Sequence, residues 1–303
     1  MNVVILGAGG WHTDELCRAL TARGHASKVL PYEGLVARAG GRDAQLSTGG
    51  VKVLDADAVI ARIIPAGSLD QIIYRVDALH WIETRGLPVV NAPRAIERSV
   101  NKFYTTALLH EAGIPTPETV VCERVADAME TARVMGDVIV KPLFGSMGHG
   151  MLRVSDPDVA FRVFNTLEQL RAVFYVQRAV DHGGRDVRAF VVDGRVIAAI
   201  ERRSRDDWRT NVARGAAATP FQLPREWERL ALAAAATVGA DYAGVDLLPS
   251  RDGQLFVLEV NGIPGWRALQ GATGVDIATA IGDCVERRVD AARASACRAT
   301  PRT

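Results

Sequence analysis

The chain has 303 residues, enough for about two domains and compatible with three small ones. Hydrophobic residues make up 48% and charged residues 23%, as in ordinary soluble globular proteins, and a formal charge of +1 gives no bulk electrostatic reason to expect nucleic acid or an anionic membrane as partner. Cys17, Cys122, Cys284 and Cys297 are scattered without a CxxC pair, so reduced thiols in a cytoplasm are expected rather than a metal cluster or a disulfide framework.

In chain order, Val3-Val4-Ile5-Leu6 reads as a buried strand entering a glycine turn, since no basic n-region or cleavage site accompanies it. No 18-residue apolar stretch occurs elsewhere, so no spanning segment is expected. Residues 13–23 have the pattern of a helix stopped at Gly24, and strands are expected at 29–30, 58–61 and 89–90. Between the last two, residues 68–84 carry helical spacing (Leu69, Ile72, Ile73, Val76, Leu79, Ile82) up to Gly86. Strands alternating with helices imply a mostly parallel sheet. Gly7-Ala8-Gly9-Gly10 lacks the GxGxxG spacing and reads as a tight strand-to-helix turn rather than a dinucleotide fingerprint.

Asn91-Ala92-Pro93 marks a boundary, and a helix is expected over 100–112, stopped by Gly113, Pro115 and Pro117. A strand at 138–141 precedes the glycine-rich Gly145-Ser146-Met147-Gly148-His149-Gly150. Further strands are expected at 174–177, 187–192 and 195–202, the last two joined by an Asp193-Gly194 hairpin turn. A helix follows at 227–238, and residues 291–303, rich in Ala, Arg and Ser, are expected to fray.

Two apolar strand-like runs, 242–248 and 255–260, flank Ser250-Arg251-Asp252-Gly253. If Asp252-Gly253 forms a two-residue turn, opposed residues have numbers that sum to 505, which sets Asp246 opposite Glu259 with Asn261 on the same face. Two opposed carboxylates destabilise the pair unless positive charge lies between them, and magnesium, which takes oxygen ligands from carboxylates and phosphates, supplies it. An exposed acidic pair is the plainer alternative, but both acids are embedded in apolar runs. A bulge forced by Pro249 would slip the opposition.

Lys141 ends an apolar strand just before the glycine loop, where an ammonium reaches phosphate oxygens and backbone N–H groups approach a second phosphate unobstructed. Lys102 is a second candidate, although on its own a solvated helix lysine would be the better explanation. Gln177, Arg178, Ala179 and Val180 could present backbone to an adenine edge. Asp186 could accept a ribose hydroxyl or simply end a turn. Arg188 and Arg202 belong to a basic run that usually marks a solvated face, yet they stand beside apolar strand residues, where a guanidinium needs an anion such as a phosphate or a substrate carboxylate.

With these residues in hand, the chain resembles the ATP-grasp superfamily, specifically the RimK-type α-L-glutamate ligases. The resemblance covers essentially the whole chain. It is carried by Asn101-Lys102, Glu111-Ala112-Gly113-Ile114-Pro115-Thr116-Pro117, Val140-Lys141-Pro142 with its glycine loop, Asp186-Val187-Arg188 and Ala199-Ile200-Glu201-Arg202-Arg203. Arg209-Thr210-Asn211, Ala243-Gly244-Val245-Asp246 and Leu258-Glu259-Val260-Asn261-Gly262-Ile263-Pro264-Gly265 complete it. The resemblance implies an α/β protein, α+β in its ATP-binding part, with the three-domain ATP-grasp fold and a Rossmann-like N-terminal parallel sheet. The implied divisions are 1–97, 98–176 and 177–290, with 291–303 a flexible tail.

It further implies ATP as cosubstrate and magnesium, or manganese in its place, held by Asp246, Glu259 and Asn261. Lys102, Lys141, Gly145, Ser146 and Gly148 fall on phosphate-facing positions, 177–180 on the adenine hinge, and Asp186 and Arg188 on nucleotide-contacting ones. Arg209 and Asn211 fall on a phosphate-proximal motif, and Arg202 or a nearby N–H would stabilise an oxyanion. The hinge departs from the family, which more often carries an acid and an aromatic where Arg178 and Ala179 stand.

The family joins glutamate to ribosomal protein tails and to pterin or deazaflavin cofactors, and commonly forms dimers or tetramers. Residues 62–93 look closest to members that act on tetrahydromethanopterin-type cofactors, with Arg62 and Arg75 offered as anion-binding groups. A small carboxylate acceptor with L-glutamate is therefore expected over a protein tail. A peptide or D-alanine ligase and a non-catalytic ATP-binding regulator of the same fold are the alternatives.

Overall fold

The computed structural model describes residues 1–40, 43–145, 148–204, 207–210 and 215–299. The N-terminal part runs β1 (Asn2–Leu6), α1 (Trp11–Ala22), β2 (Ala26–Leu30), β3 (Val36–Arg38), β4 (Gln45–Thr48), β5 (Val51–Lys52), β6 (Ala58–Ala61), α2 (Leu69–Thr84) and β7 (Val89–Val90). Strands β2-β1-β6-β7 form the expected parallel sheet, while β3-β4-β5 is a small antiparallel meander that periodicity did not signal. The turn after β1 requires Gly7, because a Cβ there would stand 2.8 Å from Cβ of Arg62. Ser68 caps α2 in a reciprocal box with Gln71.

One helix was expected over 100–112, and two are found: α3 (Pro93–Val100) and α4 (Lys102–Glu111). Asn101 breaks them, because its extended backbone lets the side chain accept from the N–H of Tyr104 and cap α4. The central part continues with β8 (Thr119–Cys122), α5 (Val125–Met135), β9 (Val138–Lys141), β10 (Leu152–Val154), α6 (Pro157–Gln169) and β11 (Phe174–Arg178), in an antiparallel sheet of order β10-β9-β11-β8. It has its own core around Val138, Val140, Phe164, Phe174 and Val176.

The C-terminal part contains β12 (Arg185–Val192), β13 (Arg195–Arg203), β14 (Ala217–Pro220), α7 (Arg225–Val238), β15 (Tyr242–Pro249), β16 (Leu255–Asn261), α8 (Arg267–Thr273) and α9 (Ile277–Ala299). Its antiparallel order is β14-β13-β12-β15-β16. Asp193 and Gly194 both have positive φ, 48° and 69°, as the expected two-residue turn between β12 and β13 demands. Of the segment expected to fray, 291–299 instead prolongs α9 to Ala299, with Arg293 paired to Asp57 at 2.6 Å, while 300–303 lies outside the described residues.

The N-terminal and C-terminal sheets share one core, in which Ile5, Leu16 and Ile60 pack with Phe190, Tyr242, Trp266 and Ile281. Ion pairs from Arg23, which caps the end of α1, to α9 reinforce it, including Arg23–Glu286 at 2.7 Å. Asn91, fully buried after β7, ties the two sheets most directly. Its Nδ2 donates to the carbonyls of Tyr242 and Gly262, and its Oδ1 accepts from the N–H groups of Asp241 and Tyr242. One side chain thus grips both ends of the β15–β16 hairpin.

Candidate active site

The hairpin sets Asp246 opposite Glu259, as the sequence arithmetic required, but by a different route. The turn is the longer Arg251-Asp252-Gly253, with the N–H of Ser250 bonded to the carbonyl of Gln254 and Gly253 at φ 88°. Pairs near it sum to 504 (Leu247 with Val257, Pro249 with Leu255). A bulge between Asp246 and Leu247 then restores 505. Leu258 is the extra residue. A bulge turns two successive side chains toward one face, so Val257 and Val260 enter the core while Leu258 and Glu259 both line a cleft.

That cleft lies between the central sheet and the hairpin. Lys102, Lys141, Gly145, Gly148, Gln177, Arg178, Ala179, Val180, Asp186, Arg202, Arg209, Asp246 and Glu259 all line it. Ser146 and Asn211 fall outside the described residues. Arg188 stands behind the wall and bonds Asp246, while Asn261 lines the adjoining cavity and donates to Oε1 of Glu259 at 2.9 Å. Sequence reasoning missed Ile139, Leu248, Leu258 and Trp208, which also line the cleft. Leu248, two residues from Asp246 on the same strand face, was within reach of an alternation argument.

Lys141 is buried at the end of β9, and Nζ donates to Oε1 of Gln177 at 2.6 Å. Burial pulls its ammonium down to about 8, opposed by the charge of Glu259. Gln177 is held in turn by Thr119 and Tyr175. Its side chain therefore steadies Lys141. The guanidinium of Arg178 donates to Glu118 at 2.6 Å. Nζ of Lys102 donates to the carbonyl of Gly145 at 2.7 Å, and burial lowers its pKa.

Around Asp246 the charges interlock. Arg188 grips its two carboxylate oxygens at 2.7 Å each, Arg202 reaches it at 3.0 Å, and Arg188 lies 3.9 Å from Glu259. Burial pushes the Asp246 carboxyl up, but Arg188 and Arg202 outweigh burial and hold it below the usual carboxylate range. The positive charge demanded by the opposed acids is therefore supplied first by Arg188. Arg202 is 3% exposed and also forks onto Asp186, which accepts from Thr210 as well. The anion that the sequence required for both arginines is thus protein carboxylate. Arg209 is held by Asp207 and lies over Trp208, 5.4 Å from the ring centre.

Among the described residues no cluster of three or more His, Cys, Asp or Glu side chains gathers. The set offered by the hairpin is two carboxylates and one amide oxygen. Nδ2 of Asn261 faces Glu259 and Gly244, which leaves its oxygen as a donor atom, and the Glu259 side chain is 36% exposed to the cleft. An all-oxygen set beside a lysine-lined cleft fits magnesium.

Arg62 and Arg75 are not cleft groups. Arg62 is buried, donating to the hydroxyl of Tyr242 and the carbonyl of Pro264, with its guanidinium 4.8 Å from the Trp266 ring centre. Arg75 donates to the carbonyls of Pro65 and Ala66. Each guanidinium found backbone carbonyls in place of the anion expected for it. Among the described residues, no helix is long and apolar enough to cross a membrane.

A model of the RimK-like ATP-grasp domain matches residues 99–285, and one of the RimK pre-ATP-grasp domain matches 1–96. A tetrahydromethanopterin:alpha-L-glutamate ligase of Methanosarcina acetivorans is 34% identical over 75% of this chain and 79% of its own length. A probable alpha-L-glutamate ligase of Aliivibrio fischeri is 34% identical over 91% of this chain and 92% of its own. The solved ATP-grasp ligase PsnB, complexed with minimal precursor, magnesium and ADP, superposes with a TM-score of 0.74 at 23% identity, covering 95% of this chain and 97% of that one.

Proposed function

Because the chain belongs to the RimK-type ATP-grasp family, we propose that it is an ATP- and magnesium-dependent carboxylate–amine ligase that joins L-glutamate to a small carboxylate acceptor of the tetrahydromethanopterin type. The observation that carries this reading is one cleft bringing Lys102 and Lys141 of the central part to Asp246 and Glu259 of the hairpin. The names of the relatives support glutamate as amine and a pterin cofactor as acceptor.

Asp246, Glu259 and Asn261 would hold the metal, which when bound supplies Lewis acidity at phosphoryl oxygens. Lys102 and Lys141 hold negative charge at the inner end of the cleft and stabilise charge moving off the terminal phosphoryl group. That group passes to the acceptor carboxylate, giving an acyl phosphate and ADP. The glutamate amine then forms a bond to the acyl carbon, the carbon–oxygen bond to phosphate breaks, and an amide remains. Arg209 is assigned to the oxygens that gain charge. Arg202 sets the charge and position of Asp246. No protein nucleophile is needed.

Incubation of the chain with ATP, magnesium, glutamate and a panel of pterin and peptide acceptors, followed by mass spectrometry, tests the reading. The expected result is one added glutamyl residue on a pterin-linked acid with stoichiometric ADP. Glutamylation confined to peptides would refute the acceptor, and absence of ADP with every acceptor would refute the ligase.

A further inference from the structure

Lys141 of β9 and Tyr175 of β11 stand directly opposite each other, and Gln177 stands opposite Thr119 of β8. Strand alternation turns these side chains to one face of the central sheet, while Val120, Val140 and Val176 enter its core on the other. Lys141, Tyr175 and Gln177 are all buried, so their polar atoms depend on one another.

The direction of each bond follows from one group. An ammonium can only donate, so the Gln177 atom that meets Nζ of Lys141 at 2.6 Å is the amide oxygen. The amide nitrogen then gives its hydrogens to Oγ1 of Thr119 at 2.9 Å and to the hydroxyl of Tyr175 at 3.1 Å. Thr119 has spent its own proton on the carbonyl of Pro117. The hydroxyl of Tyr175, already an acceptor, is left to donate, and Oγ1 of Thr106 lies 2.8 Å away.

Thr106 does not belong to that sheet. It lies on α4, one turn after Lys102, so the two side chains share a face of the helix. α4 packs with the C-terminal body, where Leu109 joins Val257 and Val260 of the hairpin in one core. The bond from Tyr175 to Thr106 therefore runs from the sheet that carries Lys141 to the helix that carries Lys102.

We propose that Tyr175 is a positioning residue: its hydroxyl ties the amide that holds Lys141 to the helix that carries Lys102, and so fixes how the two ammonium groups meet one phosphate chain. This deepens the ligase reading and rests on it for the role of the lysines. Tyr175 acts through Gln177 and Thr106 and touches no substrate.

The test is a double-mutant cycle read by calorimetric titration of the full chain with magnesium and ADP. Tyr175→Phe keeps the ring, which lies 5.7 Å from Nζ of Lys141, and removes only the link. It should weaken ADP binding about fivefold, the equivalent of one hydrogen bond. In a Lys141→Met background the same change should alter affinity by less than about twofold, since no ammonium is left to place. Thr106→Val removes the far end of the link and should reproduce both results, whereas Thr106→Ser keeps the hydroxyl and should bind ADP within about twofold of the parent. The threonine pair decides the question alone if the tyrosine variant does not fold. Equal losses in both backgrounds, as a general loosening of the sheet would give, would overturn the proposal, and so would parental affinity in Tyr175→Phe or Thr106→Val. The expected cycle with no ligation of any acid would sink the ligase reading and leave the positioning role standing.

Discussion

Asn91→Ala removes a side chain that bonds both ends of the β15–β16 hairpin. Four hydrogen bonds are lost, two donated to the carbonyls of Tyr242 and Gly262 and two accepted from the N–H groups of Asp241 and Tyr242. Each contributes about 1 kcal/mol net, about 4 kcal/mol for the four. The space vacated is polar and able to admit a water, which would recover part of the loss. The sum is a destabilisation of about 3–5 kcal/mol, at the upper end for a single substitution. Urea unfolding followed by circular dichroism measures it. ADP titration in the folded baseline should show a further, separate loss of magnesium dependence, because both strand ends that carry Asp246, Glu259 and Asn261 are released. A shift below about 1 kcal/mol with metal response intact would refute the reasoning, showing that the shared core alone sets the hairpin.

Glu259→Ala should abolish acceptor-dependent phosphate release while the fold is retained, since its side chain is partly exposed and its carboxylate accepts from Asn261 and lies 3.9 Å from Arg188; release at the wild-type rate would exclude it from the chemistry. Glu286 gives a pH prediction. Hydrogen bonding from Arg23, with a further contribution from His25, holds its carboxyl down to about 2 against an ordinary 4.5. A depressed carboxylate stabilises the fold fully above the unfolded value and loses that contribution as pH falls through the folded one. The deficit of Glu286→Gln in urea midpoint should therefore be largest near pH 6 and clearly smaller at pH 3; an equal deficit at both would show that the carboxylate charge is not its source.

The sequence was most readable where one local rule dominated. β6 and β9 were placed residue for residue by apolar runs between breakers, and the Asp193-Gly194 turn by the backbone freedom it needs. The meander of β3, β4 and β5 was not readable, because Val36, Ala37 and Arg38 are all exposed and carry no alternation. The pairing of Asp246 with Glu259 was reached from a turn that does not form, since a longer loop and a bulge offset one another. The partners of arginines were out of reach altogether. Arg188 and Asp246 stand 58 residues apart, and nothing local tells a guanidinium facing a carboxylate from one, like Arg75, that caps carbonyls.

Leu258 has a place in the ladder unlike its neighbours'. It has no cross-strand partner, so removing it would leave Leu247 with Val257, Asp246 with Glu259 and Val245 with Val260 all paired. The sheet does not constrain this residue, yet it forms part of the wall of both cavities. Its size and shape are consequently free to vary with whatever occupies the cleft, without disturbing the acids beside it. A specificity change here needs no compensating mutation elsewhere in the strand. Divergence toward new acceptors has in Leu258 a position where selection on the ligand is uncoupled from selection on the fold.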